Sequence, residues 1–260
     1  MNKYTLLLST LLIPSSGAFA SVLFSDNFES DTAGNLVGQG SWLQTGTSTA
    51  TPLQVGNGLV TVGSSGQDAY AAFSSAVNTA NGGSLFIGLD LDVLTAQATG
   101  DYFLHVTTTT GGTTGFYDKL EAKSSGSGYV LGMEEAGSDP VVWGTTVLNF
   151  DSSYQIVTEE DFVSGAANDT FELYVNPTSA TASANSTYLN FAWNGTSAEA
   201  ATYTEVNLRQ GTATAAPTET VGNLVVGTSF SDVVAVPEPS SLALAALGGL
   251  GSLVAIRRRK

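Results

Sequence analysis

Cysteine is absent from the chain, and histidine occurs once, at His105. Without cysteine there is no disulfide, no thiolate nucleophile and no Cys/His zinc site. A single histidine leaves nucleophilic triads without a choice of base. His105 lies in Asp101-Tyr102-Phe103-Leu104-His105-Val106-Thr107 and is expected on the surface of a strand. Positive charge is also scarce: of eight Lys and Arg residues, only Lys119, Lys123 and Arg209 fall between residues 21 and 239. All 23 acids fall in that same stretch, so its formal charge is −20, against −15 for the whole chain. A domain of that sign has no basic patch with which to hold nucleic acid or anionic lipid. No amphipathic helical window longer than about two turns is present, and no EF-hand or glycine-aspartate repeat appears.

The abundant signal is two-residue alternation. Leu85, Ile87, Leu89, Leu91 and Val93 share one face of an extended segment, with Asp90 and Asp92 on the other. Comparable runs occur at 59–62, 69–73, 102–106, 129–134, 141–150, 154–157, 170–175, 188–193, 203–208 and 223–227. Glycine- and asparagine-rich turns separate them, including Asn81-Gly82-Gly83, Gly126-Ser127-Gly128 and Asn194-Gly195. This predicts an all-β fold, a single β-sandwich of jelly-roll type over residues 21–234, with Val22-Leu23-Phe24 beside Leu224-Val225-Val226. Glu134 and Glu135 are expected on opposite faces of a strand, and Glu159-Glu160-Asp161 in a solvated loop.

The two ends are of a different kind. Lys3, the apolar stretch from Thr5 to Ile13 and Ala18-Phe19-Ala20 have the form of a secretory signal peptide cut between Ala20 and Ser21, which assigns residues 1–20 to Sec export and signal peptidase. At the other end, Pro237-Glu238-Pro239 precedes an apolar run over 240–256 and then Arg257-Arg258-Arg259-Lys260. Seventeen residues give a helix of roughly 25 Å, enough for a hydrocarbon core of about 30 Å once the cationic end reaches the headgroups. The positive-inside rule places that cationic stop in the cytoplasm and the domain outside.

The tripartite tail, residues 235–260, resembles the PEP-CTERM sorting signal. That resemblance implies recognition of Pro237-Glu238-Pro239 by the membrane protease-transpeptidase exosortase, a membrane-anchored precursor, and a final place at the cell surface, outer membrane or extracellular matrix in contact with exopolysaccharide. A second resemblance is to concanavalin-like, laminin-G-type jelly rolls. It rests on Phe24-Ser25-Asp26-Asn27-Phe28-Glu29, the stretch from Asn168 to Pro177, and the stretch from Val221 to Ser229. That fold hosts lectins, adhesive modules and glycosidases.

Candidate chemistry is thin. Asp90 and Asp92 lie roughly 6.6 Å apart along one strand face. They invite comparison with concanavalin-like glucanases, whose strand carries Glu-x-Asp-x-x-Glu. Here position 90 is Asp and the third acid is missing, Leu94 and Thr95 following instead. The expectation is a non-catalytic protein without a cofactor, calcium being the one cation the oxygen donors would suit, at Asp26, Asn27, Glu29 and Asp31. Trp42 and Trp143 are the candidates for stacking on a sugar, whereas Trp193, alternating with Phe191, is expected in the core.

Overall fold

The structure, a computed structural model, describes residues 21–137 and 139–234. The expected signal peptide (1–20) and sorting tail (235–260) lie outside the described residues. Sixteen strands follow one another in the described chain: β1 (Val22–Asp26), β2 (Gly34–Asn35), β3 (Trp42–Thr45), β4 (Gln54–Gly56), β5 (Leu59–Val62), β6 (Asp68–Asn78), β7 (Gly83–Thr95), β8 (Asp101–Thr107), β9 (Phe116–Ser125), β10 (Gly128–Ala136), β11 (Val142–Trp143), β12 (Ser153–Phe162), β13 (Thr170–Val175), β14 (Leu189–Ala192), β15 (Thr202–Leu208) and β16 (Thr218–Gly227). A single helical turn, α1 (Phe230–Val233), follows β16. Among the described residues no helix is long and apolar enough to cross a membrane.

The strands form two antiparallel sheets packed face to face as a jelly-roll sandwich. One has nine strands, ordered β14-β13-β12-β7-β16-β5-β4-β2, with β1 pairing β16; the other has seven, ordered β11-β10-β9-β8-β15-β6-β3. The first and last strands are neighbours as expected, Phe24 opposite Val226 and Asp26 opposite Leu224. Ser21 at the start is tied to Thr228 by two hydrogen bonds, its N–H donating to Thr228 Oγ1 at 3.1 Å and its carbonyl accepting from Thr228 N–H at 3.1 Å.

Strand β7 follows its alternation. Leu85, Ile87, Leu89, Leu91 and Val93 are buried between the sheets, in one core with Leu120 and Ala122 of β9 and Leu131 and Met133 of β10. Full burial of each such aliphatic side chain stabilises the fold by about 1.5–3 kcal/mol. Two expectations fail. The run at 141–150 forms a strand only at Val142–Trp143, with one isolated bridge from Leu148 to Tyr129. The supposed loop Glu159-Glu160-Asp161 is the second half of β12, paired with β7 as far as Phe162 opposite Gly83. Ten ladder pairs with a distant strand hold it extended, a constraint that three adjacent acids do not advertise. Strand β9 was not anticipated either, because its outward positions Lys119, Glu121 and Lys123 are charged and its inward ones include only Leu120 and Ala122 as apolar residues.

Candidate functional site

On the outer face of the seven-stranded sheet, charge is concentrated and little of it meets water. All three basic residues of the stretch 21–239 stand there, each against an aromatic ring. Lys119 Nζ lies 5.1 Å and Arg209 Cζ 3.9 Å from the centre of the Tyr102 ring, and Lys123 Nζ lies 4.2 Å from that of Trp143. Antiparallel register puts Lys119 of β9 directly opposite Glu134 of β10. Their ion pair is 2.7 Å long, and Lys119 also donates to the Gly137 carbonyl at 2.9 Å. Arg209 pairs with Asp101 at 2.8 Å. Glu121, two residues along the strand from Lys119, is raised to about 8 by burial first and then by the charge of the neighbouring Glu134. Burial thus favours the protonated form of Glu121 beside the Lys119–Glu134 ion pair.

The loop between β8 and β9 folds back over this face. Glu205 of β15 fastens it, accepting from Gly111 N–H at 2.6 Å, Thr107 Oγ1 at 2.7 Å and Asn207 Nδ2 at 3.1 Å. Beneath it His105 is 1% exposed, which corrects the surface position expected of it. Its ring lies 4.4 Å from that of Phe116, neither nitrogen has a hydrogen-bond partner, and burial, then Arg209 and Lys119, push its pKa well below the usual imidazole value. It is a neutral packing residue against Tyr102 and Phe116, and these two rings, with Tyr117, Lys119 and Ser197, border a cavity of about 300 Å³.

A second group of acids lies between the sheets. Tyr203 of β15 donates its hydroxyl proton to Glu160 Oε1 of β12 at 2.9 Å and stands 3.5 Å from Glu135 Oε1 of β10. Asp118 of β9, at a register shift and with φ of 44°, is buried with both oxygens unpartnered. Burial raises Asp118 to about 7 and Glu135 to about 9, the latter helped by Asp118, Asp169 and Glu199. Glu160 is pushed far above the carboxylate range by burial and then by Glu135 and Asp118. Burial thus favours the protonated form of all three, least strongly for Asp118. Glu134 and Glu135 do point to opposite faces, as expected, but both are buried. The sequence signal for Glu135 and Glu160 is parity. Glu135 continues the inward series Tyr129, Leu131, Met133, and Glu160 sits between inward Ile156 and Phe162.

The residues singled out in the sequence are distributed as follows. Trp42 is fully buried, so it lines no ligand surface; this is a correction. Its ring stacks on Phe28 at 6.0 Å and meets Phe24 edge-on at 5.5 Å, and its Nε1 donates to Asp26 Oδ2 at 2.9 Å. Trp42 and Asp26 thus satisfy each other. The other Asp26 oxygen accepts from Phe28 N–H at 2.8 Å, Asn27 Oδ1 accepts from Glu29 N–H at 3.1 Å, and Glu29 is exposed. Asp31 is raised by burial and then by Asp26. Among the described residues no group of three or more Asp, Glu or His side chains converges to hold a metal ion. Trp143 is half-buried on edge strand β11, its ring packed where Gly132 and Gly100 lack a side chain. Trp193 is buried, its Nε1 donating to Asp139 at 3.2 Å. Asp90 and Asp92 occupy the outer face of the other sheet, Asp90 accepting from Asn223 Nδ2 at 2.5 Å. Ala18, Ala20, Pro237, Glu238, Pro239 and Arg257 to Lys260 lie outside the described residues.

No curated protein matches the chain in sequence. Solved structures resemble it at low identity. The CBM2 module of the evolved Dit of Lactobacillus casei BL23 phage J-1 is 12% identical, with 81% of this chain and 96% of that one covered and a TM-score of 0.49. A family 16 glycosyl hydrolase protein from Mycobacterium smegmatis is 11% identical over 79% of this chain and 100% of that one, with a TM-score of 0.43. The SAP-like pentraxin of Limulus polyphemus is 10% identical over 63% and 73%, with a TM-score of 0.41. Residues 235–260 match the PEP-CTERM protein-sorting motif, so the chain carries the address of a surface protein sorted by exosortase.

Proposed function

We propose that the protein is a non-catalytic, exported module of the cell surface or extracellular matrix, released from its membrane anchor at Pro237-Glu238-Pro239 and acting there by adhesive or structural contact with exopolysaccharide. The observation that carries this reading is the match of residues 235–260 to the sorting motif. The acids of the domain support the non-catalytic part. Retaining glycosidases hold their two carboxyl groups about 5–5.5 Å apart, and inverting ones about 6.5–9.5 Å. Glu134, the acid beside Glu121 on the outer face, is instead committed to an ion pair with Lys119 at 2.7 Å. Intact-mass analysis of the protein from cells that contain exosortase is expected to show a chain lacking Arg257 to Lys260, and a Glu238→Ala chain is expected to accumulate as the anchored precursor. A wild-type chain that keeps its basic tail in those cells would overturn the sorting part.

One observation favours a lectin-like reading of the same module. The cavity beside Tyr102 presents the rings of Phe116 and Tyr117 with the Ser197 hydroxyl, the combination of apolar face and polar edge that sugars bind. A polysaccharide pull-down tests it, with Phe116→Ala expected to weaken capture about tenfold, a loss of about 1.4 kcal/mol. Absence of any capture by the wild-type protein, with or without calcium, would discard it.

A further inference from the structure

We propose that α1 is a strap that holds the sorting motif close to the domain and limits how fast exosortase reaches it; this rests on the sorting reading above. The nine-stranded sheet carries on its outer face a small apolar patch, Phe86 of β7, Val157 of β12 and Tyr174 of β13, separate from the core between the sheets. Phe230 and Val233 of α1 cover it. The Phe230 ring meets Phe86 edge-on at 6.0 Å and Tyr174 at 4.9 Å. Two glycines allow the close approach: a Cβ at Gly88 would fall 2.2 Å from the Val233 carbonyl oxygen, and one at Gly227 would fall 2.8 Å from Asp232 Cβ. The turn is closed by Ser229 N–H donating to Asp232 Oδ2 at 3.2 Å and Asp232 N–H donating to the Ser229 carbonyl at 3.1 Å.

Pro237 follows the last strapped residue, Val233, by four positions. At about 3.3–3.6 Å per residue, four residues span at most about 14 Å, which bounds the reach from Val233 to Pro237. A membrane protease that takes Pro237-Glu238-Pro239 in extended form must therefore accept a folded sandwich pressed against it. The surroundings of the strap oppose that approach. The Tyr174 hydroxyl contacts Glu159 and Glu172, with Asp161 nearby on β12, so acidic side chains flank the strap, and anionic headgroups repel such a face on close approach. Releasing α1 back to Ser229 doubles the reach to about 28 Å. Because the patch is not continuous with the core, the strap can lift while both sheets stay closed.

The test is a pulse-chase of tail removal in exosortase-containing cells, with four full-length chains: wild type, Phe230→Ala, a six-residue Gly/Ser insertion between Val236 and Pro237, and the two changes combined. The insertion lengthens the tether without touching the fold. Processing is expected to be about tenfold faster in Phe230→Ala, as the strapped population falls. The insertion should give a similar gain, and the combined chain no more than the insertion alone. An insertion chain processed at the wild-type rate, or more slowly, overturns the strap even if Phe230→Ala proves unstable. If wild type is never processed, the sorting reading itself has failed, which is a different outcome.

Discussion

Raising the pH from about 5 to about 9 is expected to lower the unfolding temperature of the exported domain, by on the order of 10 °C. The cause is the acid cluster between the sheets. Asp118 is raised to about 7, Glu135 to about 9 and Glu160 higher still, all by burial first. A carboxyl group whose pKa is higher in the folded chain binds its proton more tightly there. Its contribution is complete below the unfolded value and is lost as pH rises through the folded one. On the outer faces Glu121, raised to about 8, and Glu159, raised to about 7, act in the same direction. His105, held neutral by burial, acts in the opposite sense, but only below the ordinary imidazole value, so the fall is cleanest between pH 7 and 9. Ionising this buried cluster costs on the order of a few kcal/mol, and a domain of this size moves by about 2–4 °C per kcal/mol. Thermal melts at fixed ionic strength measure it. Glu160→Gln keeps an oxygen for the Tyr203 hydroxyl, cannot ionise, and should flatten the profile above pH 7. A melting temperature that rises from pH 5 to 9 would mean that these carboxyls are ionised and paired in a way the geometry does not show.

Trp42→Ala is expected to destabilise the domain by about 3–5 kcal/mol at any pH, and to leave capture of a polysaccharide unchanged wherever the variant is folded. The ring fills the space between Phe24 and Phe28, and its removal leaves a cavity at the junction of β1, β3 and β6. It also strips Asp26 Oδ2 of its indole donor, which adds the cost of a part-buried carboxylate oxygen without a partner. Trp42→Phe keeps most of the packing and loses the donor, so the difference between the two variants apportions the effect. Chemical denaturation of the three proteins is the measurement. A Trp42→Ala protein as stable as wild type would be incompatible with the burial of this ring.

Alternation made much of this architecture legible. Strands β5 and β13 fall where the pattern puts them, β7 buries its odd-numbered apolar residues from Leu85 to Val93, and the outward acids Asp90 and Asp92 remain on the opposite face. The pattern misled where a strand has no purely solvent side. In β9 and β10 the outward residues Lys119, Glu121 and Glu134 are buried by one another, by Tyr102 and by the neighbouring loop, so charge there does not mean exposure. In β12 three successive acids resemble a loop until the partner strand is known. Trp42 resembled a stacking platform because nothing nearby in sequence reveals that Asp26, sixteen positions earlier, takes its indole proton.

The sequence by itself determined the address, the all-β class and the sign of the domain's charge, since each is written in local order or in composition: a tripartite tail, a two-residue period, and three cations against 23 acids. Tertiary structure alone decided which of those acids are charged. Asp118, Glu135 and Glu160 come from three strands in two sheets and meet only when the sandwich closes. Ionisation depends on solvent and neighbours, and both are set by packing across the fold rather than by adjacency along the chain.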